Sequence, residues 1–316
     1  MLVGALRAGW GIAPVVRYLP VGFGSHHWVG EDGAGPRWFI TVDDLAAKVR
    51  KTGEPLDVVV GRLRAALRTV RAVADGGAGY VVAPLPRRDG EVLARVGERY
   101  AVAVYPYVDG VAPGWGARLA DGDLRAVLGM LADLHAAPEG VRAQAGVEDF
   151  VLPGREDLVD ALGALGQVWD TGPYGERART ALQDHAREVE GLLGRYDRLV
   201  AQVSGEPERL VLTHGEPHPG NLLRAEGEWL LIDWDTVLVA PPERDLWHLD
   251  PGDGSVLDAY ARRTGRPTRP AAAELYRLSW RLAEIAYYGA LFRREHHDNE
   301  DVRKSWEGLV HYLSRD

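Results

Sequence analysis

Residues Leu210 to Trp247 read LVLTHGEPHPGNLLRAEGEWLLIDWDTVLVAPPERDLW. The apolar run Leu210-Val211-Leu212 leads into a loop of polar and turn-forming residues, His214 to Asn221, and Leu222-Leu223 follows it. Trp229 to Ile232 predicts a second strand, which ends abruptly in Asp233-Trp234-Asp235. A loop carrying Glu216 and Asn221, facing a strand end carrying Asp233, gathers hard oxygen ligands and a candidate base in one place. Mg²⁺ takes one or two such groups together with phosphate oxygens. Phosphoryl transfer asks little more of a protein than positioning and neutralisation of charge. Taken singly, these residues are ordinary turn and capping groups. That reading does not account for their joint spacing.

The pattern resembles the catalytic and metal-binding segments of the aminoglycoside phosphotransferase/choline kinase family, a branch of the protein-kinase-like fold. There the loop reads H-G-D-x-H-x-x-N and the second strand ends in I-D-W or I-D-x-x. The spacing from His214 to Asn221 matches throughout, and Pro242-Glu243-Arg244-Asp245-Leu246 matches the usual continuation. One position departs: the family's base Asp is Glu216 here. The resemblance implies an α+β, bilobal fold. A small antiparallel-sheet lobe with one helix, residues 1–108 including the hinge, binds nucleotide. A larger, mainly helical lobe, residues 109–316, carries catalysis and the acceptor. It also implies an enzyme that moves the γ-phosphoryl group of ATP or GTP, with Mg²⁺, to a hydroxyl of an antibiotic of aminoglycoside type or a related amino-sugar or amino-alcohol. Glu216, His214 and Asn221 form the expected catalytic set. Glu216 orients the hydroxyl and accepts its proton, while His214 and Asp245 brace the loop. Asp233 and Asn221 are the expected metal ligands. A carboxylate one methylene longer serves as base if the loop backbone sits back by about 1 Å.

Composition narrows the alternatives. A chain of 316 residues with 46% hydrophobic content can bury a substantial core. It has no Cys, which removes disulfides and thiolate metal sites. No segment approaches a membrane span and the N-terminus lacks a signal pattern, so a cytoplasmic enzyme is expected. The net charge of −9 disfavours a nucleic-acid partner and suits a small, hydroxylated, cationic substrate, although an acidic excess also serves solubility. Of the 37 Lys+Arg, only Lys48, Lys51 and Lys304 are lysines.

In the first lobe, Val15 to Val29 predicts two strands around a turn with Gly22, Gly24 and Ser25 at its tip, and Gly24 and Ser25 are the candidates for covering nucleotide phosphates. Arg37 to Val42 predicts a third strand. In the family, a Lys on this strand grips the phosphates and pairs with a Glu on the next helix. The aligned residue here is Thr41, and the helix expected from Pro55 to Ala74 contains no Glu. The pair is missing as a unit, and Lys48 or an arginine of that helix is the candidate replacement. Further strands are expected at Tyr80 to Pro84 and Tyr100 to Tyr105. The segment Val104 to Gly110 resembles the family's hinge, which assigns the adenine contacts to the Pro106 C=O and the Val108 N–H.

In the second lobe, helices are predicted at roughly 122–137, 155–168, 175–204, 256–264, 271–294 and 300–312. His135 reads as a packed core histidine. The resemblance assigns the last helices to the acceptor site, with Glu284 and Tyr287, together with Asp235, as candidate substrate contacts. His296 and His297, adjacent on an expected helix, point apart and make no zinc site. A catalytically silent relative that binds a nucleotide or small ligand is the alternative, resting on the missing Lys and Glu. A protein kinase proper is disfavoured, because nothing after Asp233 resembles an activation loop.

Overall fold

The computed structural model describes residues 1–21, 24–33 and 35–314. The chain packs as two compact units: residues 1–49, 55–148 and 207–270 form the first, and residues 50–54, 149–206 and 271 onward the second.

The first unit opens with a helix that the sequence reading did not anticipate, α1 (Leu2–Trp10). It has no side-chain cap at Met1, and Gly11 closes it in the left-handed conformation. The Trp10 indole, donating to the Leu85 carbonyl at 2.9 Å, ties it down. Strands β1 (Val15–Leu19), β2 (Ser25–Glu31) and β3 (Arg37–Asp44) follow, then a 3-10 turn (Leu45–Lys48), α2 (Leu56–Asp75), β4 (Ala94–Val96) and β5 (Tyr100–Pro106). The five strands form one antiparallel sheet in the order β1-β2-β3-β5-β4. Alternation in β3 and β5 splits the packing between the two faces. Trp38, Ile40, Val102 and Val104 pack with Leu6 of α1, whereas Ala101 and Ala103 pack with Leu63 and Leu67 of α2. Thr41 and Asp43 therefore lie on the α2 face. The expected strand at Tyr80 to Pro84 is reduced to a single bridge, Val81 to Leu231. Pro84 and Pro86 have no N–H to extend a ladder.

Beyond β5 come α3 (Asp121–His135), α4 (Glu139–Arg142) and β6 (Gly146–Val147), and, in the second unit, α5 (Arg155–Gly163) and α6 (Gly175–Val203). The chain then returns to the first unit with β7 (Val211–Thr213), the hairpin β8 (Leu222–Ala225) and β9 (Glu228–Leu231), β10 (Leu238–Ala240), α7 (Glu243–Leu246) and α8 (Ser255–Thr264). Strand β10 lies between β6 and β7, so the two ends of the Leu210–Trp247 stretch are held in one small sheet.

The second unit is completed by α9 (Pro270–Phe292) and α10 (Glu300–Leu313). Its core is built from apolar positions at helical spacing, among them Leu158, Leu182, Leu193, Leu282, Ile285 and Leu309, all buried. Burying a side chain of this size is worth about 1.5–3 kcal/mol. Because α9 ends at Phe292, His296 and His297 sit in a loop and not on a helix as expected. His296 lies 2.8 Å from the Arg294 carbonyl through Nδ1, and its Nε2 accepts from the Tyr174 N–H at 3.1 Å, which uses both ring nitrogens of one neutral tautomer. No helix among the described residues is long and apolar enough to cross a membrane.

Candidate functional site

The loop after β7 is shaped by what it hangs from. Asp245, wholly buried on α7, accepts the His214 N–H at 2.9 Å, the Gly215 N–H at 2.6 Å and His135 Nε2 at 3.0 Å. Burial works against its charge, but the His135 bond and nearby positive groups outweigh this and hold the carboxyl below the usual carboxylate range. An ionised Asp245 fixes the His135 tautomer: Nε2–H donates to the carboxylate, leaving Nδ1 to accept from the Tyr260 hydroxyl at 2.8 Å. Gly215 has φ +106, and a Cβ there would run into Arg244 and Thr236. The Gly after His214 is thus required twice, by conformation and by space. Glu243, next to Arg244, is buried against Arg209 and also accepts the Arg269 N–H at 2.6 Å. The segment Pro242 to Leu246 is an internal buttress.

His214 joins the loop to the strand end opposite. Its Nε2–H donates to the Ile232 carbonyl at 2.9 Å, and its Nδ1 accepts the Glu216 N–H at 3.2 Å. Burial keeps the ring neutral by pushing its pKa down. One imidazole therefore spaces the backbone of Glu216 from the residue that precedes Asp233. Asn221 Nδ2 donates to the Glu216 carbonyl at 3.0 Å, which leaves the carboxamide oxygen as its acceptor. Asp233 adopts the left-handed conformation, φ 63, in a turn anchored by the fully buried Trp234, whose indole donates to the Leu231 carbonyl at 2.8 Å. Loss of hydration and the charges of Asp235 and Glu216 push the Asp233 carboxyl well above the usual carboxylate range. Since Asp233 is exposed, the neighbouring charges carry more of that rise than burial does.

Among the described residues, the ammonium that faces these acids is that of Lys48. Asp44 caps the 3-10 turn by accepting the Ala46 N–H at 3.0 Å, Leu45 plugs it into the α2-side core, and Arg62 of α2 donates to the Lys48 carbonyl at 2.8 Å. Lys48 Nζ then lies 3.0 Å from Asp43 Oδ1 and 2.5 Å from Asp235 Oδ2. Burial opposes the ammonium, but Asp235 and Asp43 outweigh it and push the Lys48 pKa up. Asp235 answers in kind: burial disfavours its charge, and Lys48 overrides this and holds it low. Ser25 donates to the same Asp43 oxygen at 2.6 Å. A continuous polar chain thus runs Ser25, Asp43, Lys48, Asp235.

Residues 29–275 match the profile of the phosphotransferase enzyme family. The chain belongs to that family. Protein StrN of Streptomyces griseus is 30% identical over 310 residues, which cover 95% of this chain and 86% of StrN. Spectinomycin phosphotransferase APH(9)-Ia, solved with ADP and spectinomycin, superposes with a TM-score of 0.74 at 16% identity, covering 99% of this chain and 96% of that one. Amicoumacin kinase hAmiN, solved with AMP-PNP, Ca²⁺ and Ami, gives 0.58 at 15% identity, covering 99% of this chain and 91% of that one. The choline kinase LicA of Streptococcus pneumoniae gives 0.55 at 12% identity, covering 99% and 97%. At these identities the structures establish the fold, which is kinase-like, with its small antiparallel sheet and larger helical part.

The remaining predicted residues lie in different parts of the chain. Gly24 has φ 82 and is open to solvent, Ser25 begins β2, and Gly22 lies outside the described residues. Pro106 is the last residue of β5, paired with Trp38, and Val108 follows two residues on. Thr41, where the family's Lys is expected, hydrogen-bonds the Tyr105 side chain instead. Asp235 is engaged by Lys48. Glu284 and Tyr287 lie on α9 in the second unit, where burial pushes the Glu284 carboxyl up and Tyr288 hydrogen-bonds it. Lys48, which the sequence left as one candidate beside the arginines of α2, is the residue that lies against Asp43 and Asp235. Its signal was rarity: in a chain that uses Arg almost everywhere, a Lys five residues past an Asp stands out.

Proposed function

We propose that this chain transfers the γ-phosphoryl group of ATP or GTP to a hydroxyl of a small cationic acceptor, an antibiotic or related amino-sugar or amino-alcohol, in the cytoplasm. The observation that carries the reading is Lys48. A half-buried ammonium held between Asp43 and Asp235, and close enough to Asp233 to act on its charge, restores the positive charge whose absence from β3 was the argument for a silent protein. Residues 1–108 take the nucleotide, with Gly24 and Ser25 at the phosphates and the Pro106 C=O and Val108 N–H at the purine edge. Residues 109–316 supply the base and the acceptor contacts.

The donor set fits Mg²⁺. Asp233, Asp235 and Glu216 crowd negative charge that raises the Asp233 pKa, and a cation relieves that crowding. Asp233 and the Asn221 carboxamide oxygen would hold the ion. Among the described residues no three of His, Asp and Glu gather into an all-protein cage, in keeping with an ion that takes most of its ligands from phosphate and water. When bound, Mg²⁺ supplies charge neutralisation at the phosphates. Lys48 grips phosphate oxygens. Glu216 accepts a hydrogen bond from the acceptor hydroxyl and receives its proton as the new O–P bond forms and the bond from the γ-phosphorus to the β,γ-bridging oxygen breaks, releasing nucleoside diphosphate. Because the transition state is loose, the base acts chiefly by alignment.

The reading is tested by thermal stabilisation with ATP and GTP, with and without Mg²⁺, on the wild type, Asp233→Ala and Lys48→Ala, followed by acceptor screening through coupled nucleoside-diphosphate release. Stabilisation that needs metal, Asp233 and Lys48, together with release that needs an added acceptor, supports it. A wild type indifferent to both nucleotides would sink it.

A further inference from the structure

The loop reads Glu216-Pro217-His218-Pro219-Gly220-Asn221, with a proline directly after each of its two titratable residues. A proline fixes its own φ and confines the residue before it to extended backbone. His218 accordingly sits at φ −69, ψ 162. Asn221 ties the two titratable residues together: its Nδ2 donates to the Glu216 carbonyl at 3.0 Å and its backbone N–H to the His218 carbonyl at 2.8 Å. The His218 ring is held as firmly as its backbone. It is 7% exposed, lies against Trp115 with centroids 3.9 Å apart, and meets His248 edge-on at 5.7 Å. Gly220 makes room for it, since a Cβ there would stand 3.1 Å from His218 Nδ1 and 3.2 Å from its Cε1.

One side of this ring meets the Glu216 carboxylate. Nε2 lies 3.9 Å from Glu216 Oε2, whereas Nδ1 is buried with no hydrogen-bond partner among the described residues. That asymmetry fixes the proton. A buried N–H left without an acceptor is among the rarest defects of a folded protein, so Nδ1 carries the lone pair and Nε2 the hydrogen. A charged imidazolium would place an N–H at Nδ1 as well, so the same argument keeps the ring neutral. The Nε2–H therefore faces Glu216 Oε2. Glu has one more side-chain torsion than Asp, and turning the outer torsions to bring Oε2 about 1 Å nearer makes a hydrogen bond of ordinary length. Contacts between catalytic groups are often long before substrate binds and tighten in the complex.

We infer that His218 is a positioning residue for Glu216: its Nε2–H holds the carboxylate in the orientation that meets the acceptor hydroxyl, and so restrains the torsion that Glu has and Asp lacks. A carboxylate on a longer arm gains from a second anchor, because a swing of about 1 Å is enough to lose alignment. The imidazole gives up no proton in this role. That the held carboxylate is the base rests on the phosphotransferase reading above; the contact itself does not.

The contact is tested on the intact chain by proton–nitrogen correlation NMR of the histidine rings, which needs neither nucleotide nor turnover. The signals lost in His218→Gln assign the ring. At neutral pH its Nε2 should carry the hydrogen, and the Nε2 resonance should move further than that of Nδ1 in Glu216→Ala. A hydrogen on Nδ1, or an Nε2 indifferent to Glu216, would overturn the inference. The role is tested by ADP release from Mg·ATP with methyl α-glucosaminide as the probe acceptor. His218→Leu should lower kcat about tenfold to a hundredfold, the scale of a misplaced and not a missing base, with KM for ATP unchanged. His218→Gln, whose side-chain amide presents an N–H near the place of Nε2, should recover most of that loss. In the Glu216→Asp background the carboxylate has no outer torsion to restrain, and His218→Leu should cost no more than about twofold. Equal losses in the two backgrounds would assign His218 to packing alone and overturn the inference. Urea unfolding separates misplacement from misfolding, and the ring NMR of the wild type decides if His218→Leu does not fold. An Nε2–H contact without phosphorylation of any acceptor would defeat the phosphotransferase reading alone. Phosphorylation with an Nε2 indifferent to Glu216 would defeat this inference alone.

Discussion

Lys48 Nζ lies 2.5 Å from Asp235 Oδ2, joining the 3-10 turn after β3 to the turn after β9. If this ammonium serves the phosphates, Lys48→Met should lower kcat for phosphoryl transfer on the order of 10²-fold, the cost of removing one preorganised electrostatic group. Steady-state kinetics with varied nucleotide checks this, and an undiminished rate would assign the phosphates to another cation.

Glu216 offers a graded test. Glu216→Gln keeps shape and hydrogen bonding but cannot take a proton, and a loss of about 10²–10⁴-fold in kcat is expected. Glu216→Asp keeps the chemistry and withdraws the carboxylate by one methylene, so its loss should arise from misplacement and stay near 10²-fold. Nucleotide-induced thermal shifts should be the same in both variants. Equal activity of Gln and Glu at this position would remove the residue from the mechanism.

Asp245 is a stability residue as much as a site residue. Asp245→Asn places an NH₂ group either at Oδ2, facing the buried His214 N–H and His135 Nε2, or at Oδ1, facing the Gly215 N–H. An unsatisfied buried group costs about 1–3 kcal/mol, so the variant, in which at least one donor loses its acceptor, should unfold in urea with a loss of stability in that range. Retention of wild-type stability would show that the loop relaxes around the change.

His248 sets a pH signature. Burial first, then the neighbouring His218, pushes its pKa down to about 3. A base with a depressed folded pKa favours the fold while both states are neutral. Below the unfolded value of about 6.5 the unfolded chain takes up a proton that the folded chain refuses, so this stability is lost as pH falls towards 3. His218, held down to about 4, acts in the same direction. His248→Gln should flatten the acid limb of stability against pH by at most about 1.4 kcal/mol per pH unit. Parallel limbs in variant and wild type would contradict this.

What could be read in advance followed from how local each feature is. The loop from His214 to Asn221, the strand end at Asp233 and the bracing Asp245 are encoded by residues close together in sequence, and hydrogen bonds join the loop to Asp245 and to Ile232, the residue before Asp233. Helices α2, α6, α9 and α10 showed through their apolar spacing. Helix α1, with Gly4 and Gly9 and no side-chain cap, carried a weak local signal and is held by Trp10 reaching Leu85. Strand β10 is three residues long and exists because β6 and β7 flank it. Lys48 was visible as a candidate but not as the answer, because its partner Asp235 stands 187 residues further along the chain.

The clamp made by His214 sets a boundary condition for evolution of the base. With its two nitrogens committed to the Glu216 N–H and the Ile232 carbonyl, the loop cannot back away from Asp233 without breaking one bond. If Glu216 is the base, its extra methylene must therefore be accommodated on the far side, by an acceptor whose reactive oxygen docks less deeply than it would against Asp. Glu216→Asp would then deepen the cleft rather than retighten the loop, so an alcohol whose hydroxyl projects farther, not the native one, should be the substrate that gains from the change.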